Sequence, residues 1–418
     1  MKKYLSLLLI TLMMLSTLTF AVAPTPAGAA TAPRQNYYPI ILVHGLAGFD
    51  NVLGIYQYWG GQYNVSKDLK SRGYENYVAS VGPFSSNWDR ACELYAEIKG
   101  GTVDYGAAHA AQYKHARFGR TYPGFYPQWG ETDPTTGKIK KVQLIGHSMG
   151  GTTSRALVTL LAQGNAEEAA ASPNDLSPLF IGDKDNWVNA VLTVATPHDG
   201  STATYALTGR GASSLLQYGI VFLTAVGGKA LIDVYDLYLD QWGLVRQPGE
   251  STDSYLARVD QMARTTDRDL SVWDLKLEGA KELNGWATAQ PNVYYFSQAA
   301  SCTFKDPLTG HYLPSISMNP FFSPFAAHMG SFTQETPVPV DKTWWENDGL
   351  VSLCTADGPH VNSTDKIADY TGTPIKGQWN YLGKIKNIDH AAIAGILTTK
   401  DVRPIYQAHA QLLGSLPE

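Results

Sequence analysis

Hydrophobic positions along the chain follow two rhythms. Short apolar runs at Tyr38 to Val43, Val142 to Ile145 and Val191 to Val194 read as buried strands. Ala156, Leu157, Leu160 and Leu161 instead recur at the spacing that lines one face of a helix, and Arg90 to Ile98 and Ala391 to Leu397 are further helix candidates. The acidic, small-residue stretch Gly164 to Pro178 reads as a surface helix end and loop. The longest apolar stretch after the N-terminus, Leu215 to Ile232, is interrupted by Gly219, Gly227, Gly228 and Lys229. Pro and Gly are scattered among the strands rather than gathered in a linker, which predicts one domain with insertions rather than two domains.

The junction between the Val142 strand and the helix that follows carries Gly146-His147-Ser148-Met149-Gly150. A serine on so tight a turn is forced into a strained backbone conformation, and glycines two residues to either side leave room for it. The hydroxyl of Ser148 is thereby presented as a nucleophile. The five-residue pattern alone also fits an ordinary loop; the flanking strand and helix favour the nucleophile.

Such a serine needs a base and an acid, which in this architecture follow in the order Ser, Asp or Glu, His. His390, in Asn387-Ile388-Asp389-His390, has the late position and loop setting of the base, whereas His409 sits in a terminal helical pattern and reads as a surface residue. Asp348, in the turn-forming Asn347-Asp348-Gly349, is the favoured acid, and Asp199 after the Val191 strand remains the competitor. Asp389 adjoins His390 but should point away from its ring. The backbone amides of Met149 and of Leu46, in the turn His44-Gly45-Leu46-Ala47-Gly48 after the first strand, are placed to hold an oxyanion. No Gly-Lys-Ser/Thr pattern or six-residue glycine fingerprint follows that turn, which argues against a nucleotide site.

With these pieces in place the chain resembles secreted bacterial triacylglycerol lipases, the thermoalkaliphilic Bacillus-type enzymes and their staphylococcal relatives. The likeness runs through the His44-Gly45 segment, Gly82 to Glu93, Gly101 to Gly124, the serine turn, Ala195 to Gly200, Asp240 to Glu250 and Trp345 to Val351. It implies an α/β-hydrolase fold, with a mostly parallel central sheet flanked by helices, a helical lid at about 205–240 and a zinc-binding insertion at about 82–124. It also implies the triad Ser148, Asp348 and His390, the assignment the residues give by themselves.

The resemblance further implies a structural zinc (Zn2+) held by Asp89, His109, His115 and Asp240, two imidazoles and two carboxylates in a closed tetrahedral set. Without it, Asp89 reads equally as a helix cap and the two histidines as surface residues. The family's usual calcium (Ca2+) site is expected to be absent or weak. The family's acid two residues after the catalytic histidine is Ala392 here, its Asp-Pro pair is Leu397-Thr398, and a carbonyl near Lys305 and Asp306 cannot hold the ion alone. Asp401 could offer a shifted ligand, but nothing in the sequence argues for it.

Composition bounds the rest. A chain of 418 residues with 44% hydrophobic content can bury a large core. Lys2 and Lys3, an apolar run from Tyr4 to about Val22 and Ala27-Gly28-Ala29 predict a signal peptide over 1–29 and a secreted catalytic domain over 30–418, the alternative being a retained anchor. Cys92, Cys302 and Cys354 permit one disulfide at most, with Cys302 and Cys354 as the pair. The net charge of −5, with signs interspersed, gives no sign of a nucleic-acid partner and leaves a lipid–water interface as the expected one, without an integral span after signal cleavage. Leu215 to Ile232 fits a lid, with a core helix or a membrane span as alternatives. Phospholipase A1, a short-chain carboxylesterase and a non-catalytic zinc-binding adhesion protein are the rival functions.

Overall fold

The computed structural model describes residues 33–417 apart from 53, 55, 207–211 and 266–267; the predicted signal peptide lies outside the described residues. Seven strands form the central sheet: β1 (Ile40–Val43), β2 (Asn76–Ala79), β3 (Val142–His147), β4 (Val188–Val194), β5 (Tyr294–Ser301), β6 (Lys366–Asp369) and β7 (Gln378–Lys386). Their spatial order is β6-β7-β5-β4-β3-β1-β2, and every neighbouring pair is parallel. Every residue of β1, β3 and β4 is buried. This explains why they appear in sequence as unbroken apolar runs: helices cover both faces of a parallel sheet, so neither face turns to water.

Alternation along each strand divides the core in two. Ile40, Leu42, Ile145, Leu192 and Val194 pack into one layer, while Ile41, Val43, Leu144 and Val191 pack into the other. Helices α1 (Asn87–Lys99) and α3 (Met149–Gln163) cover the second layer, with Ala156, Leu157, Leu160 and Leu161 as the buried stripe of α3. Helix α6 (Arg403–Gly414) covers the first through Tyr406, Ala410 and Leu413. Between α1 and β3, an antiparallel ribbon of Gly101–Asp104 and Phe118–Tyr122 brackets the short helix α2 (Ala107–Tyr113). The apolar stretch from Leu215 lies within α4 (Ala212–Val234), which breaks at Gly228, where φ is 66°. Helix α5 (Thr252–Ala263) packs against α4. No described helix is long and apolar enough to cross a membrane.

Several local expectations need correction. Ala391 to Leu397 is not an α-helix but one tight turn, Ala392–Ala394, because Gly395 and Leu397 adopt positive φ values of 88° and 51° and redirect the chain. His409 is not a surface residue: it is only 4% exposed on the inner face of α6, and burial pushes its pKa down to about 4. All three cysteines are free thiols, so the Cys302–Cys354 bridge does not form. The acidic stretch after Gly164 contains a helix, Ala166–Ala171, whose Glu168 is buried and accepts hydrogen bonds from the Ala108 and His109 amides at the start of α2.

Candidate active site and metal centre

Ser148 sits where β3 meets α3 with φ 55° and ψ −131°, a strained conformation costing about 1–3 kcal/mol. Its surroundings enforce this. The Ser148 amide donates to the Val194 carbonyl at 2.9 Å, and Thr196 Oγ1 donates to the Ser148 carbonyl at 2.8 Å. A Cβ at position 150 would lie 2.1 Å from the Val43 carbonyl oxygen, so only glycine lets α3 cross β1 so closely.

His390 lies on the loop after β7. Its Nε2 is 2.8 Å from Ser148 Oγ and its Nδ1 is 2.9 Å from Asp348 Oδ2. The other oxygen of Asp348, a residue 1% exposed, accepts the amides of Leu350 at 3.0 Å and Val351 at 2.8 Å. This turn holds the carboxylate aimed at the ring. Asp199 is elsewhere, accepting the His360 and Val361 amides and the Asn284 side chain. Asp389 faces away, accepting the amides of Asn319 and Ala392.

The loop after β1 is shaped by Gly45 and by Ala47, whose φ is 52°. A Cβ at Gly45 would lie 2.6 Å from Ser148 Cβ, so the loop backbone passes directly over the nucleophile. The Leu46 amide finds no acceptor among the described residues, and Met149, in the first turn of α3, has an amide without an intrahelical partner. Beneath the loop, the buried Arg90 of α1 donates to the carbonyl of His44, to that of Gly82 at 2.8 Å and to Thr153 Oγ1 at 2.8 Å. Burial, then the Arg90 charge, hold the His44 imidazole neutral with its pKa lowered to about 3.

These groups open into an apolar cavity. Leu215, Tyr218 and Phe222 of α4 form one wall, facing Phe321, Phe322 and Phe325. Helix α4 is pinned by the Tyr218 hydroxyl donating to the Phe321 carbonyl at 3.0 Å and the Tyr235 hydroxyl donating to the Gly48 carbonyl. In this arrangement Ser148 is 7% exposed.

A second cluster gathers Asp89 from α1, His109 from α2, His115 just beyond α2, and Asp269, with ligand atoms all within 4.8 Å of one another. The separations are 3.2 Å from His109 Nε2 to Asp89 Oδ1, 3.1 Å from His109 Nε2 to Asp269 Oδ1, 3.2 Å from His115 Nε2 to Asp269 Oδ2 and 3.9 Å from His115 Nε2 to Asp89 Oδ1. A tetrahedron with metal–ligand bonds of 2.0–2.1 Å has edges of roughly 3.3 Å, close to this spacing. The facing atoms Asp89 Oδ1, His109 Nε2, His115 Nε2 and both Asp269 oxygens are buried without hydrogen-bond partners, which such a cation would satisfy. His115 Nδ1 is taken by the Ala116 carbonyl at 2.8 Å, which leaves Nε2 free as a ligand. Asp89 does not cap α1; Ser86 does.

Asp240 is not in this cluster, contrary to expectation. Both of its oxygens are engaged by the Arg120 guanidinium, one at 2.7 Å. Its neighbour Gln241 reaches the site instead, donating to Asp89 Oδ2 at 2.9 Å. Of the residues weighed for calcium, Asp306 binds its own turn through the Thr309 amide at 3.0 Å, and Asp401 pairs with Arg403.

A seven-stranded parallel sheet with a serine, a histidine and an aspartate in one hydrogen-bonded line on the loops beyond it is an α/β-hydrolase fold. The chain belongs to the lipase-like family, whose C-terminal-domain model matches residues 36–412. Lipase 1 of Staphylococcus aureus is 38% identical over 361 residues, covering 83% of this chain and 50% of that protein. The chain thus spans about half the length of the curated relatives it matches. EstA from Clostridium botulinum superposes with a TM-score of 0.86 at 43% identity, covering 96% of this chain and 92% of that one. Lipase 1 from Pelosinus fermentans gives 0.81 at 44% identity, covering 92% and 100%.

Proposed function

We propose that the protein is a secreted triacylglycerol lipase, with a signal peptide over 1–29, one catalytic domain over 30–418 and α4 as the lid. The observation that carries this reading is the Ser148–His390–Asp348 hydrogen-bonded line at the foot of an apolar, aromatic-walled cavity. His390, oriented by Asp348, takes the Ser148 proton as Oγ attacks the ester carbonyl. The amides of Leu46 and Met149 stabilise the tetrahedral oxyanion, which collapses to an acyl-enzyme as His390 protonates the departing glycerol oxygen. Water then attacks the acyl-enzyme by the same route in reverse, and the fatty acid leaves.

The cavity walls match a fatty acyl chain, since each buried CH2 contributes about 0.8 kcal/mol. A lid whose inner face is Leu215, Tyr218 and Phe222 hides apolar surface in water and offers it to lipid at an interface. For the metal cluster we infer zinc, with Asp89, His109, His115 and Asp269 as ligands. Its role is structural: it would neutralise the two buried carboxylates and tie α1 and α2 to the segment after α5.

The test is hydrolysis of emulsified long-chain triacylglycerol, set against soluble short-chain esters and phospholipid, by the protein and by Ser148→Ala. Activity on the emulsion that the variant lacks is expected. A variant as active as the parent would overturn the triad. Activity confined to soluble short esters or to phospholipid would overturn the triacylglycerol assignment.

A further inference from the structure

Two buried side chains outside the triad join its parts. The Gly45 amide donates to the Tyr58 hydroxyl at 3.0 Å, that hydroxyl is 2.6 Å from His147 Nδ1, and His147 Nε2 is 2.9 Å from the His390 carbonyl oxygen. His147 is the residue immediately before the nucleophile, and its ring centroid lies 4.9 Å from that of His390.

We propose that His147 is a positioning residue, held by Tyr58 as the neutral Nε2-protonated tautomer, that clasps the His390 main chain and the oxyanion loop into one unit. The proposal rests on the lipase reading above and extends it to two groups outside the triad that line the same cavity. Proton bookkeeping sets the tautomer. A carbonyl can only accept, so the contact with His390 requires a proton on Nε2. The Tyr58 oxygen already accepts from Gly45, and its own proton is free to go to Nδ1. Both ring nitrogens are then satisfied by a neutral imidazole. Burial and the nearby His390 ring both act against a charge on His147.

The consequence is geometric. Residue 390 is held at four points: Nε2 by Ser148, Nδ1 by Asp348, its amide by the Asp348 carbonyl at 3.0 Å, and its carbonyl by His147. Only the last ties it to β3 and, through Tyr58, to the peptide before the Leu46 amide. Base and oxyanion donor therefore keep their mutual placement while His390 gains and loses a proton. A displacement of about 1 Å in such a site costs on the order of 100-fold in rate. His147 also stays uncharged beside the imidazolium that forms during turnover.

The test uses the full chain and a soluble p-nitrophenyl ester, with kcat and KM measured for Tyr58→Phe, His147→Leu and His147→Gln. Tyr58→Phe removes one oxygen and retains the ring that packs edge-on against Phe49 and Trp59, so folding can be checked by its melting temperature. The expected result is a kcat lowered about 10- to 100-fold in Tyr58→Phe and His147→Leu with KM within about twofold, and partial recovery in His147→Gln, whose amide can still donate to the His390 carbonyl. In the parent, the nitrogen-15 NMR signals of His147 should remain those of a neutral, Nε2-protonated ring from pH 5 to 9 (the range of about ±2 around neutrality). A Tyr58→Phe variant with unaltered kcat, or a His147 ring protonated on Nδ1, would overturn the proposal. Ser148→Ala separates the two levels: if it matches the parent, the lipase reading fails; if it is inactive while Tyr58→Phe turns over normally, only the clasp fails.

Discussion

Replacing Asp269 or Asp240 by alanine gives opposite results if the metal centre is as described. Asp240 shares a partly exposed pair with Arg120, their side chains 27% and 29% exposed, and such a pair contributes about 0.2–1 kcal/mol. Asp240→Ala should therefore keep its metal and melt within about 2 °C of the parent. Asp269 is 1% exposed and contributes two of the unsatisfied oxygens of the cluster. With metal at about 100 times its dissociation constant, bound ion stabilises the fold by about 2.7 kcal/mol, or on the order of 5 °C for a chain of this size. Asp269→Ala should lose that increment. In chelator that increment is gone from both proteins, and what separates them is the pairing of Asp269 with His109 and His115, which holds its carboxyl below the usual carboxylate range. The metal-free variant should then melt below the metal-free parent, but by less than the two differ in zinc. The assay is metal content by mass spectrometry together with melting curves in zinc and in EDTA. An Asp269→Ala protein that retains one equivalent of metal, beside an Asp240→Ala protein that has lost it, would refute the assignment.

Asp348→Asn should lower kcat by about 10⁴-fold with little change in KM, because an amide cannot hold the His390 tautomer; a loss under tenfold in steady-state kinetics would contradict the role. Glu97, buried and accepting, among the described residues, only the Ser80 amide, has its pKa raised to about 8 by burial. The folded state thus keeps a proton that the unfolded state loses above about 4.5, so its contribution is complete below that pH and is lost as pH rises through 8. Glu97→Gln should flatten the decline in stability between pH 5 and 9 by roughly 2–4 kcal/mol, and parallel denaturation curves at both pH values would exclude it. Thiol titration in denaturant without reductant should count three groups, and a count of one would restore the disulfide.

The nucleophile turn was legible because its requirements are local: glycine where the backbone of α3 meets β1, and a strand and a helix with distinct periodicities on either side. Asp348 was legible through its turn, since the same Asn-Asp-Gly geometry that bends the chain also points the carboxylate. The metal centre was half legible. Asp89, His109 and His115 lie within one insertion, but the fourth ligand arrives from a segment whose local pattern gives no sign of it. The family resemblance points to the Asp240 stretch instead, which does approach the cluster, through Gln241 rather than the aspartate. Tyr58 and His147 carry no short-range signal, because their partners lie 89 and 243 residues apart in the chain. His409 is buried against expectation because a histidine on the inner face of a terminal helix looks, in sequence, like one on the outer face.

Successive residues of α1 serve different masters: Asp89 turns toward the metal cluster and Arg90 toward the His44 carbonyl beneath the oxyanion loop. One helical turn is thus a crossbar between the candidate metal site and the proposed catalytic site, and neither end can be re-cut alone. Drift that reshapes the insertion must carry the loop along with it, and a designer who wishes to delete the cluster must first find another way to anchor that bar.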